Sequence, residues 1–287
     1  MKLLKNLSNM RELIRAVGED LNVNRNEAEL LIAALIDRPR FELYMRDSID
    51  EQEQLALRSR IAQLKKGMPI EYVTNRVQFR NFTLRIFQDV FIPRMETEYF
   101  VELIPRMLPK APRKILEIGT GCGAISVALA DIYQDAEILA TDISGNAVRN
   151  AHENVVALKM ASQISIVQCD LYWGIKGKFD LIISNPPYVP SERMQMLPKS
   201  VKEFEPLAAI DGGKQGIEFI KRVILGSRSY LADTGVIALE IDEDSIESLK
   251  LFLATQNLGS FMFCKDLCNK HRFLFVGAIN EKSQDRC

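Results

Sequence analysis

The 287-residue chain has no run of about 18 uninterrupted apolar residues, the length a helix needs to cross a membrane. It is also poor in metal ligands. Its two histidines, His152 and His271, lie far apart, and its five cysteines (Cys122, Cys169, Cys264, Cys268, Cys287) are scattered without a Cys-x-x-Cys pair. An odd, unclustered set predicts no disulfide framework and no metal site. Neither sign of charge is in excess: 37 Lys+Arg against 38 Asp+Glu leave a net charge of −1, which excludes a polybasic wrapper of nucleic acid. A hydrophobic share of 47 % excludes a disordered tail protein. The opening Met1-Lys2-Leu3-Leu4-Lys5-Asn6 turns polar before a signal-peptide core forms, so the expected compartment is the cytoplasm, with no membrane partner.

What is present divides into two segments. Residues 1–75 read as helices only. Asn24 with Glu27, and Asp50 with Glu53, are capping-box starts. An apolar stripe follows the first (Ala28, Leu31, Ile32, Leu35, Ile36) and another the second (Leu55, Leu57, Ile61, Leu64), closed by Lys65-Lys66-Gly67 and Pro69. Acidic and basic residues balance here, so the segment has no footprint for a phosphate backbone. Residues 76–92 alternate apolar and polar about a turn at Arg80-Asn81, the pattern of a β-hairpin connector. Residues 93–280 then alternate short apolar strands with helical stretches, which predicts a mostly parallel sheet covered on both faces. The polar 281–287 reads as a frayed tail.

The most informative loop is Ile115-Leu116-Glu117-Ile118-Gly119-Thr120-Gly121-Cys122-Gly123-Ala124, a strand entering three alternate glycines and then a helix. Such a loop admits a ligand close to the backbone and offers it the N–H groups of a helix start. Asp142 ends the next apolar strand, where a carboxylate meets the hydroxyls of a ribose. A nucleoside cofactor is implied. Gly119-x-Gly121-x-x-Ala124 also satisfies the permissive dinucleotide fingerprint, so NAD and S-adenosylmethionine both remain open on the loop alone. Glu117 favours the second, because an acid there repels a pyrophosphate and suits a cofactor with a cationic end. Asp170-Leu171, after the third strand, fits either an adenine contact or a plain turn.

Asn185-Pro186-Pro187-Tyr188 follows the fourth strand. Two prolines extend the chain and remove two N–H donors, leaving carbonyls as acceptors beside the Asn185 amide and an aromatic ring. That set suits a planar –NH2 group, with Asn185 and Pro186 accepting its two N–H bonds and Tyr188 stacking on its face. Glu117-x-Gly119-x-Gly121-x-Gly123, Asp142 and Asn185-Pro186-Pro187-Tyr188 together resemble the amino-methyltransferases of the class I, Rossmann-like S-adenosylmethionine fold, which include adenine-N6 DNA methylases and glutamine-N5 protein methylases. Four further stretches separate these: Gly67–Val73, Phe91–Glu98, Val201–Gly213, and Asp266–Gly277 with Arg272. With the helical N-terminal segment they are similar to the HemK/PrmC family, the peptide-chain release factor glutamine methyltransferases.

The resemblance implies an α/β class I methyltransferase domain (93–280) behind a small all-α recognition domain (1–75) and a β-hairpin linker (76–92). It implies methyl transfer from S-adenosylmethionine, leaving S-adenosylhomocysteine, to the glutamine amide of the Gly-Gly-Gln motif in class I release factors, with no direct nucleic-acid partner. By position, Glu117 and Gly119, Thr120, Gly121, Cys122 and Gly123 would line the methionine end, Asp142 the ribose, and Asp170 and Leu171 the adenine. Arg94 and Glu98, in Pro93-Arg94-x-Glu96-Thr97-Glu98, would cap the cleft. Asn185, Pro186, Pro187 and Tyr188 would hold the substrate, and Asn185 would also touch the cofactor. The sequence departs from the family pattern at Met95, usually proline, and at Asp242, commonly glycine. A ribosomal-protein glutamine and a nucleic-acid adenine are the alternative substrates.

Overall fold

The computed structural model describes residues 9–256 and 258–280. The polar tail, the first eight residues and Cys287 lie outside them. The chain forms two compact units, 1–76 and 77–287.

In the first unit, α1 (Met10–Leu21) starts at Asn9, whose side chain accepts the Glu12 N–H, and ends at Asn22 in the left-handed conformation. Both anticipated capping boxes form: Asn24 with Glu27 opens α2 (Arg25–Ile36), and Asp50 with Glu53 opens α4 (Glu51–Lys65). The short α3 (Glu42–Met45) and α5 (Ile70–Thr74) complete the unit. Leu13, Val17, Ile32, Leu35, Leu57 and Ile61 meet in its core. One carboxylate is buried beside that core. Glu29 takes hydrogen bonds from Arg25 (2.9 Å), Arg40 (2.6 Å) and the Tyr44 hydroxyl. Burial pulls its pKa upward, but the hydrogen bonds from Tyr44, Arg40 and Arg25 outweigh it and hold the group down at about 2.

The second unit opens with the hairpin, β1 (Arg76–Phe79) and β2 (Phe82–Arg85), turned by Arg80 at φ 52°. Its outgoing backbone is fixed to α8 (Gly145–Ala157): Arg85 N–H donates to Asn154 at 2.8 Å, and Phe87 N–H to Asn150 at 2.8 Å. A seven-stranded sheet follows, in the order β5-β4-β3-β6-β7-β9-β8. These strands are β3 (Lys114–Ile118), β4 (Glu137–Asp142), β5 (Ile164–Gln168), β6 (Phe179–Ser184), β7 (Leu231–Glu240), β8 (Ser260–Lys265) and β9 (His271–Gly277). The first five in that order run parallel, while β9 and β8 add an antiparallel hairpin at one edge.

On one face lie α6 (Met95–Met107), α7 (Ala124–Ile132) and α8; Phe100 of α6 stacks on Phe273 of β9 with centroids 5.1 Å apart. The other face carries α10 (Glu218–Ser227) and α11 (Ile246–Ala254), whose Ile220, Val223, Ile224, Leu249 and Leu253 pack on Ile182, Ile237 and Leu274. A short α9 (Lys199–Phe204) sits in the excursion between β6 and α10. Strand order reverses between β3 and β6, and this switch point opens a crevice at the carboxyl ends of the strands. Among the described residues no helix is long and apolar enough to cross a membrane. Among the described residues Cys122, Cys169 and Cys268 are free thiols.

Candidate active site

A cavity of about 360 Å³ occupies the switch point, within the range of small-ligand sites. Its floor is the glycine loop after β3. Gly119, Gly121 and Gly123 all adopt positive φ (76°, 57° and 87°), conformations that favour glycine. Thr141 O receives both Gly119 N–H (2.8 Å) and Thr120 N–H (2.9 Å), which fixes the loop against the neighbouring strand end. Gly121 has open space where a Cβ would stand; Gly123 instead packs on Ala151 and lies outside the cavity wall, so it serves the turn into α7.

Asp142 lines the cavity and braces the loop, one carboxylate oxygen accepting Gly121 N–H and the other Ser144 N–H, both at 2.9 Å. Thr120, Cys122, Asp170 and Leu171 also line it. Asp170 pairs with Arg222 at 3.0 Å, and Leu171 holds a positive φ of 50°. Burial pushes the Cys122 thiol up to about 12, which leaves it unreactive.

Glu117 is the most deeply buried of the acids in the wall. Its Oε2 accepts the hydroxyls of Thr120 (2.8 Å) and Ser126, while Oε1 is buried without a hydrogen-bond partner. Burial, with a contribution from Asp142, pushes its pKa up to about 7 despite those two hydroxyls. An orphaned carboxylate oxygen in a cavity wall calls for a cationic ligand group. The α-amino group of S-adenosylmethionine meets that demand, whereas a pyrophosphate would be repelled.

Asn185, Pro186 and Pro187 border the same cavity from the end of β6. The bend is packed against glycine backbone. A Cβ on Gly216 would stand 2.3 Å from the Tyr188 carbonyl oxygen, and one on Gly212 2.8 Å from Pro187 O. Besides Gly123, three expected site residues fall outside the wall. Arg94 pairs with buried Glu205, whose other oxygen lies 3.4 Å from the Ile92 N–H, and stacks over Phe91 at 4.7 Å; it ties two loops together and is not part of the cavity lining. Glu98 is on the first turn of α6, away from the cavity lining, although Pro93 and Thr97 of the same stretch reach it. Tyr188 turns its hydroxyl to Glu240 (3.0 Å) and its ring partly onto the core.

Sequence reasoning passed over Thr97 as a polar contact and Glu240 altogether. A signal for Glu240 exists: β7 ends Leu239-Glu240-Ile241 as β3 ends Leu116-Glu117-Ile118, an acid in an otherwise apolar strand end. Both glutamates are 1 % exposed.

Two family models match this chain, the PrmC N-terminal domain over residues 8–74 and the methyltransferase small domain over 96–203. A release factor glutamine methyltransferase of Rhodopirellula baltica is 34 % identical over 261 residues, covering 87 % of this chain and 88 % of the relative. The chain belongs to the release factor glutamine methyltransferase family. The human MTRF1L release factor glutamine methyltransferase is 29 % identical, covering 88 % of this chain and 81 % of its own. Among solved structures, the hMettl16 catalytic domain, crystallised with the MAT2A 3′UTR hairpin 6, superposes with a TM-score of 0.55 at 18 % identity, covering 82 % and 85 % of the two chains. That likeness concerns the fold of a class I methyltransferase. Members of the family use S-adenosylmethionine.

Proposed function

We propose that this chain transfers a methyl group from S-adenosylmethionine to the side-chain amide nitrogen of the glutamine in the Gly-Gly-Gln motif of class I peptide-chain release factors, in the cytoplasm where that substrate works. The observation that carries the reading is the sharing of one cavity by Glu117, whose Oε1 has no hydrogen-bond partner, and the acceptor-rich Asn185-Pro186-Pro187 strand end. The first suits the cationic end of the donor, the second a planar –NH2 acceptor.

Bound S-adenosylmethionine supplies an electrophilic methyl group on a sulfonium. An amide nitrogen is a weak nucleophile because its lone pair is delocalised into its carbonyl. Asn185 Oδ1 and the Pro186 carbonyl accept its two N–H bonds, hold the nitrogen in place and favour its pyramidal form, which aims the lone pair along the transfer line. The nitrogen becomes acidic once alkylated, so its proton leaves without a dedicated base. The near-neutral charge of the whole chain supports a protein substrate over a duplex. The helices of 1–75 supply a recognition surface for the release factor away from its glutamine loop.

The test offers labelled S-adenosylmethionine with purified release factor, a ribosomal protein and an oligonucleotide side by side, followed by mass mapping. Label on the Gly-Gly-Gln glutamine alone is the expected result; label on either of the others would redirect the assignment. Asn185→Ala should lower kcat at least about 100-fold, the scale of removing one transition-state hydrogen-bonding group, while calorimetry finds cofactor affinity within a few-fold.

A further inference from the structure

Resting on that amide-methylation reading, we propose that Glu240, acting through Thr97, is a positioning group that orients the Asn185 side-chain amide with its oxygen toward the substrate. A carboxamide is nearly symmetric in shape. Turned by half a rotation it presents two N–H donors where an acceptor is needed, and a substrate –NH2 then meets donors only. Something must choose between the two orientations.

The choice follows from proton counting. Thr97 Oγ1 lies 2.8 Å from Glu240 Oε2 and 3.1 Å from Asn185 Nδ2. A hydroxyl has one proton, and an ionised carboxylate only accepts, so that proton is committed to Glu240. Thr97 then shows Asn185 a lone pair, which Nδ2 alone can satisfy. Oδ1 is left for the substrate. The second oxygen of Glu240 accepts the Tyr188 hydroxyl at 3.0 Å, so each carboxylate oxygen has a donor. Its twin at the end of β3, Glu117, keeps one oxygen free. One strand-end glutamate thus serves a ligand and the other serves the protein.

The relay depends on ionised Glu240. Burial raises its pKa to about 7; Thr97 and Tyr188 on one side, and Arg272 of β9, oppose that rise, while Glu96 of α6 reinforces it. A protonated Glu240 donates, Thr97 then has its own proton to offer Asn185, and the amide loses its fixed direction. Turnover should therefore fall on the acid side of neutrality.

Thr97→Val, close in shape and lacking the hydroxyl, tests the relay in the full chain. With release factor as substrate, kcat should drop by about 30-fold while KM and the affinity for S-adenosylhomocysteine stay within about threefold, as for loss of a group felt in the transition state. Thr97→Ser should restore kcat to within about fivefold of the parent. A readout independent of turnover is the Asn185 side-chain NH2 in proton–nitrogen spectra, assigned by its loss in Asn185→Asp. One proton should be shifted downfield and protected in the parent and in Thr97→Ser, and lose both features in Thr97→Val. Unchanged kcat, or an unchanged NH2 signal, in Thr97→Val overturns the inference, as does a Thr97→Ser variant as impaired as Thr97→Val. A parent chain inactive on the release factor would sink the proposed function instead, and the NH2 signal would still decide the relay.

Discussion

Glu117 shows how one side chain carries both a legible and an illegible property. That an acid stands two residues before the first glycine is plain in the sequence, and it favours a cofactor with a cationic end. That one oxygen is used by Thr120 and Ser126 while the other has no partner depends on how α7 lies on the sheet, which no local pattern encodes. A pH dependence follows. With a pKa near 7, Glu117 is largely neutral at pH 6 and ionised at pH 8. A cation in the wall binds the ionised form, so affinity for S-adenosylmethionine should rise by up to about tenfold per pH unit below 7 and level off above it. Calorimetry from pH 5.5 to 8 reads this directly. Glu117→Gln should weaken binding and flatten the profile; a flat profile in the parent would remove the charge from cofactor recognition. For Arg94, by contrast, a motif position does not say what pairs with it, and Glu205, 111 residues later, claims its guanidinium.

At the scale of elements, legibility tracked how local the determining interaction is. The capping boxes of α2 and α4 each close within four residues, and both formed where the sequence placed them. The hairpin turn at Arg80-Asn81 is equally local. The antiparallel β8 is not legible locally, because Phe261-Met262-Phe263 lacks alternation and its strand character comes from pairing with β9. The helix α6 was hidden by Pro105 near its end and by the cleft-capping reading of Phe91–Glu98, although Thr97, Phe100, Val101 and Ile104 form a buried stripe along it. A local feature also predicts a local cost. Asp50 accepts the Glu53 N–H at 2.8 Å, and Glu53 returns a bond to the Asp50 N–H at 3.1 Å. Asp50→Ala should destabilise by about 1 kcal/mol, seen as a lower urea midpoint at unchanged slope, because it leaves a helix-start donor without its acceptor. No change in midpoint would show that solvent serves that donor as well as Asp50 does.

For the whole molecule, the buried carboxylates set opposite pH responses in the two units. The division into a helical segment and an α/β segment was legible from the change in periodicity, and the net charge of −1 said nothing of where the acids are buried. Glu117 and Glu240 have pKa values raised to about 7 from an ordinary 4.5. Between those values the folded chain binds more protons than the unfolded one, so stability is highest below about pH 4.5 for these groups and declines as pH rises through 7. Glu29 is the reverse. Its folded pKa of about 2 lies below the unfolded value, so its contribution is present above about pH 4.5 and is lost as pH falls toward 2. The two windows do not overlap. Calorimetric scans of the cofactor-free chain should show Tm falling by several degrees from pH 5 to 8, since each unit of displacement is worth about 1.4 kcal/mol. The double variant Glu117→Gln with Glu240→Gln should be flat over that interval and retain the acid-side loss below pH 4.5. Glu29→Gln should keep the first slope and lose the second. A parent Tm that rises from pH 5 to 8 would mean that the two strand-end glutamates are ionised at little cost in the folded chain, and with it the ionisation-linked reading of Glu117 toward the cofactor would fail.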